Sequence, residues 1–267
     1  MNTSTMSPDH ATPFWSTRYG LVKSIAAANP PAPSLRQYGE WAEKEIDLLG
    51  SWIQEGQHVL EVGGEYGAHT LWLAQAVGAE GQVHVAEPCR LAFQLLCANV
   101  AINGLDNVYT HARWLGREDA EVAAHEVPCA LMHGALPDER FQVTTLDALE
   151  LERLDVLKSN VPGALLDLLA GATETLRRCR PLVYARLSGI SRAEEEVRAL
   201  KELGYRCWSH TPHLYNAANF NKDTSNIFPG CVWQNVVAAP VEGRFELDAA
   251  SDAFAARYNR NLTPKIL

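Results

Sequence analysis

Residues 61–67, Glu-Val-Gly-Gly-Glu-Tyr-Gly, stand between a buried-strand pattern over 57–62 and a helical pattern over 68–78. Glycines at such a junction let the chain turn sharply and approach a ligand, and a strand feeding a helix through them is the opening unit of a parallel α/β sheet. The alternation continues downstream. Further strands are predicted over 82–88, 107–112, 154–160, 181–187, 205–210 and 231–239, with helices over 89–104, 161–179 and 191–204. Asn103-Gly104 and Gly204 are left-handed helix stops, and Pro162 suits a first helical turn, where a missing N–H costs nothing. Ahead of the glycine turn, Tyr38, Trp41, Ile46, Leu49 and Ile53 recur at helical spacing within 35–54. Residues 1–34, closing in Asn29-Pro30-Pro31-Ala32-Pro33-Ser34, read as an arm or linker, and 113–142 read as irregular. The expected fold is α/β, a mainly parallel sheet with helices on both faces and ligands beyond the carboxyl ends of its strands.

Composition narrows the function classes. Of 267 residues, 47% are hydrophobic, enough for a substantial core. Lys and Arg number 23 against 32 Asp and Glu, a net charge of −9, so no broad cationic surface is expected for nucleic acid. No apolar run reaches the roughly 18 residues of a membrane span, and the first fifteen residues lack the pattern of a signal peptide. A soluble, unexported, cytoplasmic protein is expected, without membrane or nucleic-acid partners; a homodimer is compatible with this reading. Cys89, Cys97, Cys129, Cys179, Cys207 and Cys231 are scattered singly, which predicts reduced structural thiols, and no ligand cluster predicts a metal.

The glycine turn departs from a dinucleotide fingerprint, which would need glycines at Glu65 and near Ala68. Glu61 and Glu65 would repel a pyrophosphate. Glu87 ends the second strand about twenty residues on, where a carboxylate can accept both hydroxyls of a ribose. Three acids around a glycine turn suit a ribosylated cation without phosphate, and S-adenosylmethionine answers that description. The glycine pair by itself would do no more than shape a tight turn.

Tyr38-Gly39-Glu40-Trp41, the run 61–70, Val85-Ala86-Glu87-Pro88, 98–108, Thr144-Thr145-Leu146-Asp147, 154–184 and 210–220 together resemble the FkbM-type family of S-adenosylmethionine-dependent methyltransferases, over Tyr38 to Pro240 in unbroken order. The resemblance implies a Rossmann-like class I methyltransferase sheet, seven-stranded, with its last strand antiparallel, and methylation of hydroxyls on sugars and natural products. It implies a methyltransferase domain over 35–240, followed by a C-terminal extension over 241–267. It also implies that Gly63, Gly64, Tyr66 and Gly67 hug the methionyl part of the cofactor. Glu61, Glu65, Glu87 and Pro88 join that cofactor set, with Tyr38 to Trp41 closing over it and Trp114 to Gly116 near the adenine.

The family pattern is broken in one place. Lys158-Ser159-Asn160-Val161-Pro162-Gly163 stands where the family has close to Lys-Ile-Asp-Val-Glu-Gly, and Arg186 replaces an acid at the end of the fifth strand. His210 and Asn160 are the expected catalytic residues, the first as a base and the second orienting a substrate or the cofactor. Arg186, His213, Asn216 and Asn219 are the expected substrate-binding set, with Arg186 attracting an acidic substrate. The missing acids keep other readings open: N-methylation, attack at another carbon of the sulfonium, or a non-catalytic cofactor-binding protein.

Overall fold

The computed structural model describes residues 14–24, 29–128, 135 and 138–243. In chain order the elements are β1 (Trp15–Thr17), β2 (Gly20–Val22), α1 (Pro31–Tyr38), α2 (Glu43–Leu49), β3 (His58–Val62), α3 (Ala68–Val77), β4 (Gln82–Ala86), α4 (Arg90–Ile102) and β5 (Val108–His111). There follow β6 (Trp114–Leu115), β7 (Ala120–Ala123), β8 (Arg140–Thr144), β9 (Val156–Ser159), α5 (Leu165–Ala170), α6 (Thr173–Cys179), β10 (Leu182–Arg186), α7 (Ile190–Glu202), β11 (Tyr205–His210) and β12 (Asn235–Pro240).

Seven strands form the main sheet in the order β11-β12-β10-β9-β3-β4-β5. All its pairings are parallel except those of β12, which runs antiparallel to both β10 and β11, as expected. The strands are near-continuous apolar runs because both faces are covered. One face carries Leu60, Leu157, Val183 and Val236, packed with Leu165, Leu168, Leu176, Val197 and Leu200 of α5, α6 and α7. The other carries Val59, Val83, Val156, Tyr184, Trp208 and Val237, packed with Leu48 and Leu49 of α2 and Leu73 and Val77 of α3. The strand order reverses between β3 and β9, and a crevice at such a point is where open α/β sheets take ligands.

Four expectations need correction. Residues 14–24 form an antiparallel hairpin of β1 and β2, not an irregular arm, and regular structure resumes at Pro31 rather than Leu35. Tyr19, Val22 and Ala32 are buried in the core cluster that holds Trp41, Leu71 and Leu96, so this stretch is part of the domain's packing. The helical pattern of 35–54 breaks into α1 and α2 at Gly39, whose φ of +66° ends α1 in the left-handed region. The 161–179 helix starts only at Leu165 and divides at Gly171, where a Cβ would strike the Gly116 carbonyl oxygen at 2.0 Å. Within 113–142, the described residues form the three-stranded sheet β6-β8-β7. Its strands are too short to show a period.

The described cysteines are free thiols; Cys129 lies outside the described residues, as do 244–267 of the expected extension. Among the described residues, no helix is long and apolar enough to cross a membrane.

Candidate active site

Side chains two apart on a strand share a face, and at the carboxyl ends of the strands that rule collects charge under α2 and α3. Glu61 of β3, Lys158 of β9, Arg186 of β10 and Asn235 at the start of β12 all lie on the face covered by those helices, and all are buried. Asn160 continues the β9 row. His210 ends β11 directly beside Asn235, which in turn pairs with Arg186, so three strands contribute one lateral row. From above, α2 lowers Glu45 and α3 lowers His69, both buried.

The acids and bases in this seam neutralise one another. Lys158 Nζ is 3.3 Å from Glu61 Oε1 and also bonds Asn160 Oδ1. Asn160 Nδ2 donates to Glu61 Oε1 at 2.7 Å and to the Gly63 carbonyl at 2.9 Å, while Thr70 donates to Glu61 Oε2 at 2.6 Å. Arg186 donates to Glu45 Oε1 and to the Asn160 carbonyl, each at 3.0 Å, and its guanidinium lies 4.1 Å over the Trp233 ring. A carboxylate from α2 thus faces the Arg186 cation at the end of β10. Burial pushes the Glu45 carboxyl up, but Arg186 and Lys158 outweigh it and hold the group at about 2, so it is ionised at neutral pH. Burial holds His69 at about 3 and His210 at about 4, so both imidazoles are neutral; His69 Nε2 lies 2.8 Å from the Trp41 carbonyl and His210 Nδ1 2.8 Å from the Tyr184 hydroxyl.

The glycine turn adjoins this seam. Gly63 and Gly67 have φ of +80° and +83°, and Glu65 between them has φ of +49°, a left-handed conformation that costs about 1–2 kcal/mol in an L-residue. The glycines are demanded from within, since a Cβ on Gly63 would meet Val161 at 2.4 Å and one on Gly64 would meet Val85 at 2.3 Å. The turn presents Glu65, whose carboxyl burial raises to about 7. Glu87 at the end of β4 is oriented by the backbone N–H groups of Glu65 and Cys89, each 2.9 Å away. A small cavity beside the turn, about 10 Å³ and so of the order of one water, is lined by Trp41, Glu61, Gly63, Glu65, Tyr66 and His69 among others. Its charged lining residues are Glu61 and Glu65, with no Lys or Arg. This donor set fits a cationic, phosphate-free nucleoside: two buried carboxyls in the lining, a backbone-held, ribose-type acceptor on β4, and no Lys or Arg in the lining.

The structure brings Glu61, Gly63, Gly64, Glu65, Tyr66, Gly67, Glu87, Asn160, Arg186 and His210 to one end of the sheet. Other expected site residues are engaged elsewhere. Tyr38 bonds Ser225 and Ile227 of the loop before β12 and meets Tyr215 with its ring tilted by 56°, whereas Trp41 alone of that segment lines the cavity. Asn216 donates to Glu40 and Asn219 to the carbonyls of Asn216 and Asp223, so their amides organise that loop. His213 is exposed in a bridge to Val232, Trp114 is buried on β6, and Pro88 follows Glu87 half-buried. Arg186 is committed to Glu45, which corrects the expectation that its charge is free for an acidic substrate.

Glu45 and His69 were not legible as site residues. Glu45 reads as one of several charges on a short helix, and its partner lies 141 residues away. Among the described residues, no group of three or more His, Cys, Asp and Glu is arranged to hold a metal.

Residues 56–207 match the family model of the methyltransferase FkbM domain. Among solved structures, the chain is similar to the FkbM methyltransferase from Methylobacillus flagellatus KT, at 14% identity and TM-score 0.48, covering 68% of this chain and 43% of that one. It is also similar to a precorrin-6y C5,15-methyltransferase from Geobacter metallireducens GS-15, at 11% identity and TM-score 0.50, covering 74% of this chain and 87% of that one. A SAM-dependent O-methyltransferase from Thermotoga maritima gives 15% identity and TM-score 0.48, covering 76% and 66%. The chain thus spans less than half the length of the Methylobacillus structure, and the Geobacter likeness shows the Rossmann-like fold. No curated protein matches by sequence.

Proposed function

The chain belongs to the FkbM methyltransferase family, and from that premise we propose that it transfers a methyl group from S-adenosylmethionine to a hydroxyl of a small molecule, a sugar or natural product, in the cytoplasm. The observation that carries the reading is the sign of the cleft. Charged groups lining the cavity at the switch point are carboxyls only, and Glu87 is held by two backbone N–H groups at the end of the second sheet strand of the domain. A dinucleotide or other phosphate would find no donor cation there.

Glu87 would take the ribose hydroxyls and Glu65 would face the cationic end, with Glu61, paired to Lys158, backing the turn and Gly63, Gly64 and Gly67 shaping the backbone between them. Pro88 and Trp114 are proposed on the adenosine side. Once bound, the cofactor supplies a methyl carbon on a positively charged sulfur that leaves readily as a thioether. Trp41 and Tyr66 exclude water from the cavity; the Tyr66 hydroxyl is fixed by Asn29 Nδ2 at 3.0 Å. The chain's main contribution is placement, since holding a nucleophile about 3 Å from an electrophilic carbon removes much of the barrier to an in-line displacement.

The test is product analysis. Purified protein incubated with methyl-labelled S-adenosylmethionine and a deproteinised cell extract should yield S-adenosylhomocysteine and a labelled small molecule by mass spectrometry. Methylthioadenosine in its place would select attack at another carbon. Label on nitrogen would select an amine acceptor, and unchanged cofactor would select a binding protein.

A further inference from the structure

Buried polar atoms without partners are rare in folded proteins, and several in one place call for an occupant. Four of the described ones belong to side chains in mutual contact: Glu45 Oε2, Arg186 Nε, Asn235 Oδ1 and Trp233 Nε1. Glu45, Arg186 and Asn235 are 1%, 3% and 0% exposed. Glu45 Oε1 joins them, accepting from Arg186 at 3.0 Å and from Asn235 Nδ2 at 3.3 Å, and Trp233 lies under the guanidinium. The orphans are two donors and two acceptors. The cluster's formal charge is zero.

That composition selects among acceptor groups. A carboxylate would satisfy Arg186 and Trp233 but meet Glu45 Oε2 as a like charge. An ammonium would satisfy Glu45 and Asn235 but leave both donors orphaned and face Arg186. A neutral hydroxyl donates to an acceptor and accepts from a donor through one atom, so hydroxyls match an equal set of donors and acceptors. Resting on the methyltransferase reading above, we infer that Glu45, Arg186, Asn235 and Trp233 form the subsite for a neutral hydroxyl or vicinal diol of the methyl acceptor, with Glu45 Oε2 receiving its proton.

This subsite takes the place of the carboxylates that the chain lacks at Asn160, Pro162 and Arg186. Asn160 cannot hold a proton, and its amide is spent on Glu61, Lys158 and Gly63. The backbone carbonyl of Asn160, held by Arg186, ties the subsite to the end of β9. During transfer the oxygen's lone pair becomes the new carbon–oxygen bond, the carbon–sulfur pair stays with sulfur, and the hydroxyl proton passes to Glu45. A carboxylate held well below the usual range is a weak base for a free alcohol. It suffices for an oxygen already gaining a methyl, because the oxonium so formed is a much stronger acid than any carboxylic acid.

The experiment uses the indole N–H resonance of Trp233 in nitrogen-15-labelled protein, identified by its loss in Trp233→Phe, in the presence of S-adenosylhomocysteine. Ethylene glycol, acetate and methylammonium are titrated separately as probes of diol, carboxylate and ammonium. The inference expects a saturable shift with ethylene glycol and binding about tenfold weaker for the other two, the size of one charge-assisted hydrogen bond. The double variant Glu45→Gln with Arg186→Met should lose the glycol response, yet bind S-adenosylhomocysteine within about twofold by calorimetry. Equal or stronger binding of acetate, no saturable shift with glycol, or a glycol response that survives the double variant overturns the subsite. Failure of wild-type protein to bind S-adenosylhomocysteine overturns the methyltransferase reading instead.

Discussion

Glu65 occupies a backbone position built for glycine, and its side chain is what the chain gains from the strain. Its carboxyl is neutral below about 7 and ionised above, chiefly because burial disfavours the charge. A cationic ligand prefers the ionised form, so affinity for S-adenosylmethionine should rise by about tenfold from pH 6 to pH 8, and Glu65→Gln should flatten the slope. Calorimetry at several pH values checks this. Glu43 also lies at about 7 but is bound to Tyr19 and Arg18, away from the turn, and the imidazoles of His69 and His210 release their protons well below the range. A second residue-scale expectation concerns Arg186. Arg186→Met alone strands the Glu45 carboxylate in the interior and should cost about 3–5 kcal/mol, whereas adding Glu45→Gln should recover most of it. Urea unfolding of the single and double variants measures the difference. The strand-end residues were legible because the glycine turn and strand termini mark them in sequence. Glu45 was not, since its role depends on α2 folding back across β10.

At the scale of elements, the hairpin of β1 and β2 is held by side chains that imitate a strand. Asn99 accepts from the Lys23 N–H at 2.8 Å and donates to the Lys23 carbonyl at 2.9 Å; Asn103, one helical turn on, does the same for Leu21 at 2.9 and 2.8 Å. Two amides at i and i+4, on α4 and at its C-cap, therefore match residues i and i+2 of an extended segment, a ladder across unlike elements. Asn99 also donates to the Tyr66 carbonyl at 2.7 Å, so the same side chain steadies the glycine turn. Asn99→Ala should cost about 1–3 kcal/mol, lowering Tm by roughly 3–10 °C, and should speed amide exchange over 15–24 before the central strands respond. Parallel strands and their helices could be read because each is buried on both faces and shows its apolar run. The hairpin and β6-β8-β7 could not, as strands of two to five residues give no period and rely on partners distant in sequence.

Across the whole molecule, the sheet gathers strand ends from residues 61 to 235 under two helices and makes them electrically self-sufficient on one side of the switch point and acidic on the other. The self-sufficient side holds the Glu45–Arg186 and Glu61–Lys158 pairs, 3.0 and 3.3 Å apart. The acidic side holds Glu65 and Glu87, linked through the Glu65 N–H. On the proposed reading, that asymmetry divides a cationic donor from a neutral acceptor. Removing the proposed ribose acceptor with Glu87→Ala deletes a group already positioned by backbone, and should weaken cofactor binding by roughly ten- to a hundredfold.

The most direct measurement is calorimetric titration of the wild-type and Glu87→Ala proteins with S-adenosylhomocysteine and, separately, with NAD. One site for S-adenosylhomocysteine is expected, weakened at least about tenfold by the substitution, and no heat from NAD. Heat from NAD, or S-adenosylhomocysteine binding indifferent to the loss of Glu87, would contradict that expectation.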